Sequence, residues 1–217
     1  MTLRSALRRI LVSTPFTTAE RLIPDNAVES VRRALFPMTQ DEVRRVLAGL
    51  IAAQVPFVLA GGWGVDALAT GQGGRKGGRK GGREWGRRRG RRHLDVDVIA
   101  APEVLATMLA ALADLGYRQP AEDWDGGWWA PHKLVLVSDG GGRIDVLILA
   151  ADQWEPLLRR AVELLGHDVD RAPVPGHVGG LTVPCLPAAL QLATHDGFEM
   201  NRHQRADRRV LAELTRR

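Results

Sequence analysis

The spacing of apolar residues changes period several times along the chain, and each change predicts a new element. In FPMTQDEVRRVLAGLIAAQ, residues Val43, Val46, Leu47, Leu50 and Ile51 recur at helical spacing, and Thr39 with Glu42 has the pattern of a capping box. VPFVLAGG follows as a short buried strand closed by paired glycines, and WGVDALATG opens a second helix. HLDVDVIA, residues 93 to 100, reads as a strand of β-branched and small apolar residues. PEVLATMLAALADLG is an amphipathic helix with Pro102 near its start and Gly116 at its end. KLVLVSDGGGRIDVLILA predicts two strands joined by a Gly-rich turn, an antiparallel hairpin. The last third is mixed and ends in two helical stretches, roughly 187–195 and 201–216. This order predicts α/β layers around a mixed sheet.

Composition narrows the class. The chain has 217 residues, 45% of them hydrophobic and 25% charged, as in an ordinary globular protein of one domain or one domain with an appendage. No apolar run reaches the ~20 residues that span a bilayer, and the basic N-terminus is too interrupted by Arg for a secretory signal. The single cysteine, Cys185, excludes an internal disulfide framework and reads as a packed small residue. A cytoplasmic protein without membrane contact is expected. Residues 1–37, with Pro15, Pro24 and Pro37, read as a poorly ordered N-terminal extension.

Charge changes the picture again. The net charge is +5, but residues 73 to 92, GGRKGGRKGGREWGRRRGRR, hold ten Lys or Arg against one Glu, a local +9. Subtracting that segment leaves −4 for the rest, so one glycine-rich stretch makes an acidic body look basic. With so little to bury, residues 72–92 are expected to form a flexible insert.

Asp95 and Asp97 break the apolar pattern of their strand. Two residues apart on a pleated strand, they point to one face, where like charges repel and resist desolvation. Divalent cations between them remove the conflict, because Mg²⁺ takes hard oxygen ligands, commonly one or two carboxylates plus substrate phosphates. Asp145 interrupts GRIDVLIL in the same way and supplies a third carboxylate on an expected neighbouring strand, sharing its face with Arg143. A lone D-x-D is a weak motif. Its company strengthens it: Gly61 and Gly62 stand between strand and helix, where backbone N–H groups and the helix start favour a phosphate. Phosphate cradle, paired carboxylates and third carboxylate together describe two-metal phosphoryl transfer.

VLAGGWGVDALATG, RRHLDVDVIA and RIDVLIL, in that order, resemble the DNA polymerase β-like nucleotidyltransferases, and within them the small bacterial branch of aminoglycoside and lincosamide nucleotidyltransferases. HDGFEMNRHQRADRRVL resembles that branch's C-terminal helical motif. The resemblance implies an α/β (α+β) fold: a mixed-sheet nucleotidyltransferase core over 38–150, with a small, partly helical C-terminal region over 151–217 completing the acceptor pocket. It implies that Asp95, Asp97 and Asp145 are catalytic and bind two Mg²⁺ ions, Asp145 completing the metal site or acting as general base. Gly61, Gly62, Trp63 and Arg91 fall to the nucleotide, ATP or another NTP, and His93 to steadying the strand. The expected reaction moves a nucleoside monophosphate, AMP from ATP, to a hydroxyl of a small antibiotic-like molecule. The chain departs from the pattern at Gly90, where relatives carry Thr, and at Phe198 and Gln204, where Tyr and an acid are common.

Other readings compete for some of these residues. Gly62 to Ala67 also fits a dinucleotide fingerprint, but that unit's second strand ends in one acid rather than carrying D-x-D through its middle. The insert at 73–92 offers salt-sensitive contact to nucleic acid, which makes an RNA-modifying or RNA-binding protein of the same fold the main rival. An inactive binding module is the second rival, with all three Asp residues against it. In AEDWDGGWWAPHK, the residues Glu122, Asp123, Asp125 and Trp128 offer an acidic, aromatic wall for a polycationic sugar; a surface loop packing its tryptophans explains them equally well. His195 and His203 fall on helices and read as structural, Asp66 as a residue that caps or orients the cradle, and the chain as a monomer or homodimer.

Overall fold

The computed structural model describes residues 37–72, 93–119, 124–125, 132–197 and 200–216. The expectations for the N-terminal extension, for the basic insert with Gly90 and Arg91, and for Glu122, Asp123, Trp128 and Phe198 fall outside those residues.

Helix α1 (Gln40–Ala52) begins where the sequence predicts, with the Thr39 hydroxyl accepting from Glu42 N at 3.2 Å. Only half of the expected capping box forms. Glu42 instead accepts from the Tyr117 hydroxyl at 2.8 Å, tying α1 to the strand after the third helix. Strand β1 (Val58–Ala60) runs without a loop into α2 (Gly61–Gln72). Next come β2 (Val96–Ala100), a 3₁₀ turn at Pro102–Val104, α3 (Leu105–Asp114) and the short strands β3 (Tyr117–Arg118) and β4 (Trp124–Asp125). β5 (His132–Ser138) and β6 (Arg143–Ile148) form the predicted hairpin. α4 (Trp154–Leu165), β7 (Val174–Val178), β8 (Leu181–Cys185), α5 (Ala188–Thr194) and α6 (Arg202–Leu214) follow.

The strands form one mixed sheet of eight, ordered β3-β5-β6-β2-β1-β8-β7, with β4 also pairing β5. β2 runs parallel to β6 and antiparallel to β1, and β1 runs parallel to β8. The C-terminal region therefore extends the core sheet through a β7–β8 hairpin that the sequence reading missed, as it missed α4. α4 ends at Gly166, whose φ of 76° places it in the left-handed region, its N–H donating to Val162 O at 2.7 Å.

Two apolar clusters cover the sheet. The larger joins Val96, Val98, Ile144 and Val146 to Val43, Val46, Leu47 and Leu50 of α1 and Met108 and Leu112 of α3. The smaller packs Ile99 and Leu147 under Leu157 and Ala161 of α4 and Leu190 and Ala193 of α5. Ile99 follows Asp97 by two residues, and Leu147 follows Asp145 by two, so each pair shares a face. The helices roof the far end of that face and leave the near end to the carboxylates. Cys185 is buried, its thiol pushed up to about 12 by burial, as a packed apolar residue should be. No helix among the described residues is long and apolar enough to cross a membrane.

Candidate active site

β2 and β6 pair so that Asp97 stands opposite Asp145. Strand β2 starts at Val96, three residues later than expected, which leaves Asp95 just before the strand and His93 in an isolated bridge to Met38. Burial first, then the charges of Asp95 and Asp145, push the Asp97 carboxyl well above the usual carboxylate range. Asp95 is raised by burial and by Asp145.

Asp145 differs. It is 3% exposed, and burial alone would raise its pKa. Arg143 outweighs that by donating from Nε to Oδ1 at 2.7 Å and from Nη2 to Oδ2 at 2.9 Å; Lys133 Nζ adds a bond to Oδ2 at 3.1 Å. The net shift of Asp145 is downward. Sequence reasoning placed Arg143 on this face but passed over Lys133. A single lysine in a strand carries no spacing signal, and only the β5–β6 register brings it here.

Gly61 closes the site from the β1 side. Ala60 pairs with Asp97, and Gly61 has a φ of 58°. A Cβ at Gly61 would stand 2.6 Å from Asp97 Cγ and collide with Oδ2, so glycine is required both by the left-handed backbone and by the carboxylate's space. Gly61→Ala is expected to cost about 1–3 kcal/mol, from φ strain plus the clash. It should also lower turnover by ~10-fold or more by displacing Asp97. Unfolding curves and rates on one preparation check both, and an unchanged rate would show that Asp97 tolerates the shift.

Trp63, Asp66 and His93 tie α2 to the segment that leads into β2. His93 Nε2 lies 2.7 Å from Asp66 Oδ2, and its ring lies 4.8 Å from that of Trp63. The Trp63 indole N–H is buried and unpartnered among the described residues. Of the acidic and aromatic residues in that stretch, only Trp124 and Asp125 are described; as β4 they pair with Lys133 and His132 at its end. Gln204 is engaged locally, its Oε1 accepting from Asn201 N in the cap of α6. His195 Nδ1 lies 2.8 Å from Gln191 O inside the core, in keeping with a structural role.

Among the described residues, no three His, Cys, Asp or Glu side chains converge to hold a metal between them. Asp97 and Asp145, in register, nevertheless fit Mg²⁺, which binds through one or two carboxylates and completes its shell with water and substrate phosphates.

Comparison with known proteins agrees with this geometry. The family model described as aminoglycoside-2''-adenylyltransferase matches residues 85–211, which takes in all three Asp residues and leaves Gly61 to Asp66 ahead of it. No curated protein matches the chain by sequence. Among solved structures, the lincomycin-bound lincosamide antibiotic adenylyltransferase LnuA is 19% identical, with a TM-score of 0.55 over 82% of this chain and 99% of its own. ANT(2'')-Ia in complex with adenylyl-2''-tobramycin is 17% identical, with a TM-score of 0.51 over 80% of this chain and 87% of its own. Both likenesses establish the mixed-sheet fold.

Proposed function

Because the chain belongs to the aminoglycoside-2''-adenylyltransferase family and is a nucleotidyltransferase, we propose that it transfers AMP from ATP to a hydroxyl of an aminoglycoside- or lincosamide-like antibiotic, with Mg²⁺ as cofactor. The observation that carries this reading is the register of Asp97 with Asp145 beside Gly61.

Asp95, Asp97 and Asp145 would hold the divalent cations, two in number, which bound there would supply charge neutralisation to the triphosphate and to the leaving pyrophosphate. Gly61 and Gly62, at the start of α2 and backed by Trp63, offer backbone N–H groups to the phosphates, with Arg91 as a further phosphate contact. The acceptor oxygen attacks the α-phosphorus in line, a new O–P bond forms, and the bond to pyrophosphate breaks. Asp145 orients the acceptor hydroxyl and takes its proton. Its lowered pKa makes it a weak base, and orientation the larger part of that role.

Glu122, Asp123, Asp125 and Trp128 are the proposed acceptor contacts; of these, Asp125 lies in β4, which pairs with β5 beside the Asp145 strand. Residues 151–217 are proposed to complete the acceptor pocket. The test is Mg²⁺-dependent pyrophosphate release from ATP, with tobramycin, lincomycin and bulk tRNA as separate acceptors and products weighed by mass spectrometry. A drug gaining the mass of one adenylyl group is expected. Label on tRNA alone would transfer the function to the RNA-modifying rival.

A further inference from the structure

Lys133 makes a bond that Asp145 does not need for its own satisfaction. Arg143 already spans both carboxylate oxygens through two bonds, which fixes the plane of the group. Lys133 adds one bond at 3.1 Å to Oδ2, an oxygen that Arg143 already contacts. A bidentate guanidinium is the persistent partner; an ammonium on a flexible stem making a single contact is the exchangeable one. Its side chain is 19% exposed, so its amino group is not sealed from solvent. Both cations bond Asp145 directly and reach Asp95 and Asp97 by charge alone or by weaker contact.

We propose that Lys133 is an exchangeable counter-ion of the active site: it neutralises Asp145 before loading, then yields that carboxylate to a divalent cation and turns to the nucleotide phosphates. The proposal rests on the reading of Asp97 and Asp145 as cation-binding residues. It makes two predictions of opposite sign. Before nucleotide binds, Lys133 competes with the cation for Asp145 Oδ2, so removing its charge strengthens cation binding. During transfer its charge faces a polyphosphate, so removing it slows the reaction. A merely structural lysine would weaken both together.

The experiment uses the full chain with Lys133→Met, which keeps the stem and removes the charge, beside Lys133→Arg and Asp97→Asn. Mn²⁺ alone is titrated by calorimetry, and kcat and KM for ATP are measured separately with Mg²⁺. Lys133→Met is expected to bind Mn²⁺ on the order of 10-fold tighter, while kcat/KM falls by ~10- to 100-fold. Lys133→Arg should restore wild-type Mn²⁺ affinity and part of the rate. If Lys133→Met binds Mn²⁺ equally or more weakly, the counter-ion proposal is overturned, whatever happens to turnover. If Asp97→Asn retains wild-type Mn²⁺ binding, it is the underlying cation reading that fails.

Discussion

Asp97→Asn is expected to remove about 10³-fold or more of the turnover while leaving the metal-free protein at least as stable as wild type. The rate loss follows from charge: an amide replaces the central carboxylate of the pair, and ~10³-fold corresponds to about 4 kcal/mol of transition-state stabilisation. The stability follows from the same carboxylate's surroundings. Burial, Asp95 and Asp145 all disfavour its ionised form, pushing the pKa up, so ionising this carboxyl works against the fold. Asn keeps the shape and removes that charge, for a gain of roughly 0–2 kcal/mol. Thermal unfolding in EDTA should place the variant at or above wild type. Adding Mg²⁺ with ATP should raise the wild-type Tm and leave the variant's unmoved. Near wild-type turnover in Asp97→Asn would sink the assignment of this pair to cation binding.

The conflict that makes Asp97 informative was legible in the sequence, because like charges inside an apolar strand have no structural justification. So was Asp145, which breaks its own strand in the same manner. Lys133 was not legible. It acquires meaning only when β5 pairs with β6 and sets Val135 opposite Asp145, one step of the pleat away. The β7–β8 hairpin was hidden by its own composition, since Pro175, Gly176 and Pro184 argue against strands. The structure reconciles them by placing Pro175 and Pro184 on one rung, which confines the missing donors, and by setting β7 at the sheet edge. Gly176 is explained by neighbours distant in sequence, because a Cβ there would meet Ala67 and the Cys185 thiol. Local pattern thus revealed the residues in electrostatic conflict and Arg143 beside them, whereas Lys133 required the register.

Asp145→Asn, the same change on the facing strand, is expected to lower turnover as severely but with the opposite effect on stability, a loss of about 2–4 kcal/mol. Here the carboxylate is the favoured form, held by Arg143 and Lys133 against the burial that opposes it. An amide can still accept from Arg143 Nε through its oxygen. Its NH₂ then faces Arg143 Nη2 and Lys133 Nζ, so donors meet donors and two partly buried cations lose the charge of Asp145. Urea unfolding of both Asn variants in EDTA makes the comparison direct, since each loses one negative charge and little volume. Destabilisation of Asp145→Asn alone would show that the strand pair divides its labour before a cation arrives: Asp145 is held by Arg143 and Lys133, and Asp97 waits for the cation. Equal stabilities would mean that Arg143 and Lys133 do not hold Asp145 in solution, and the contrast between the two carboxylates would fail with it.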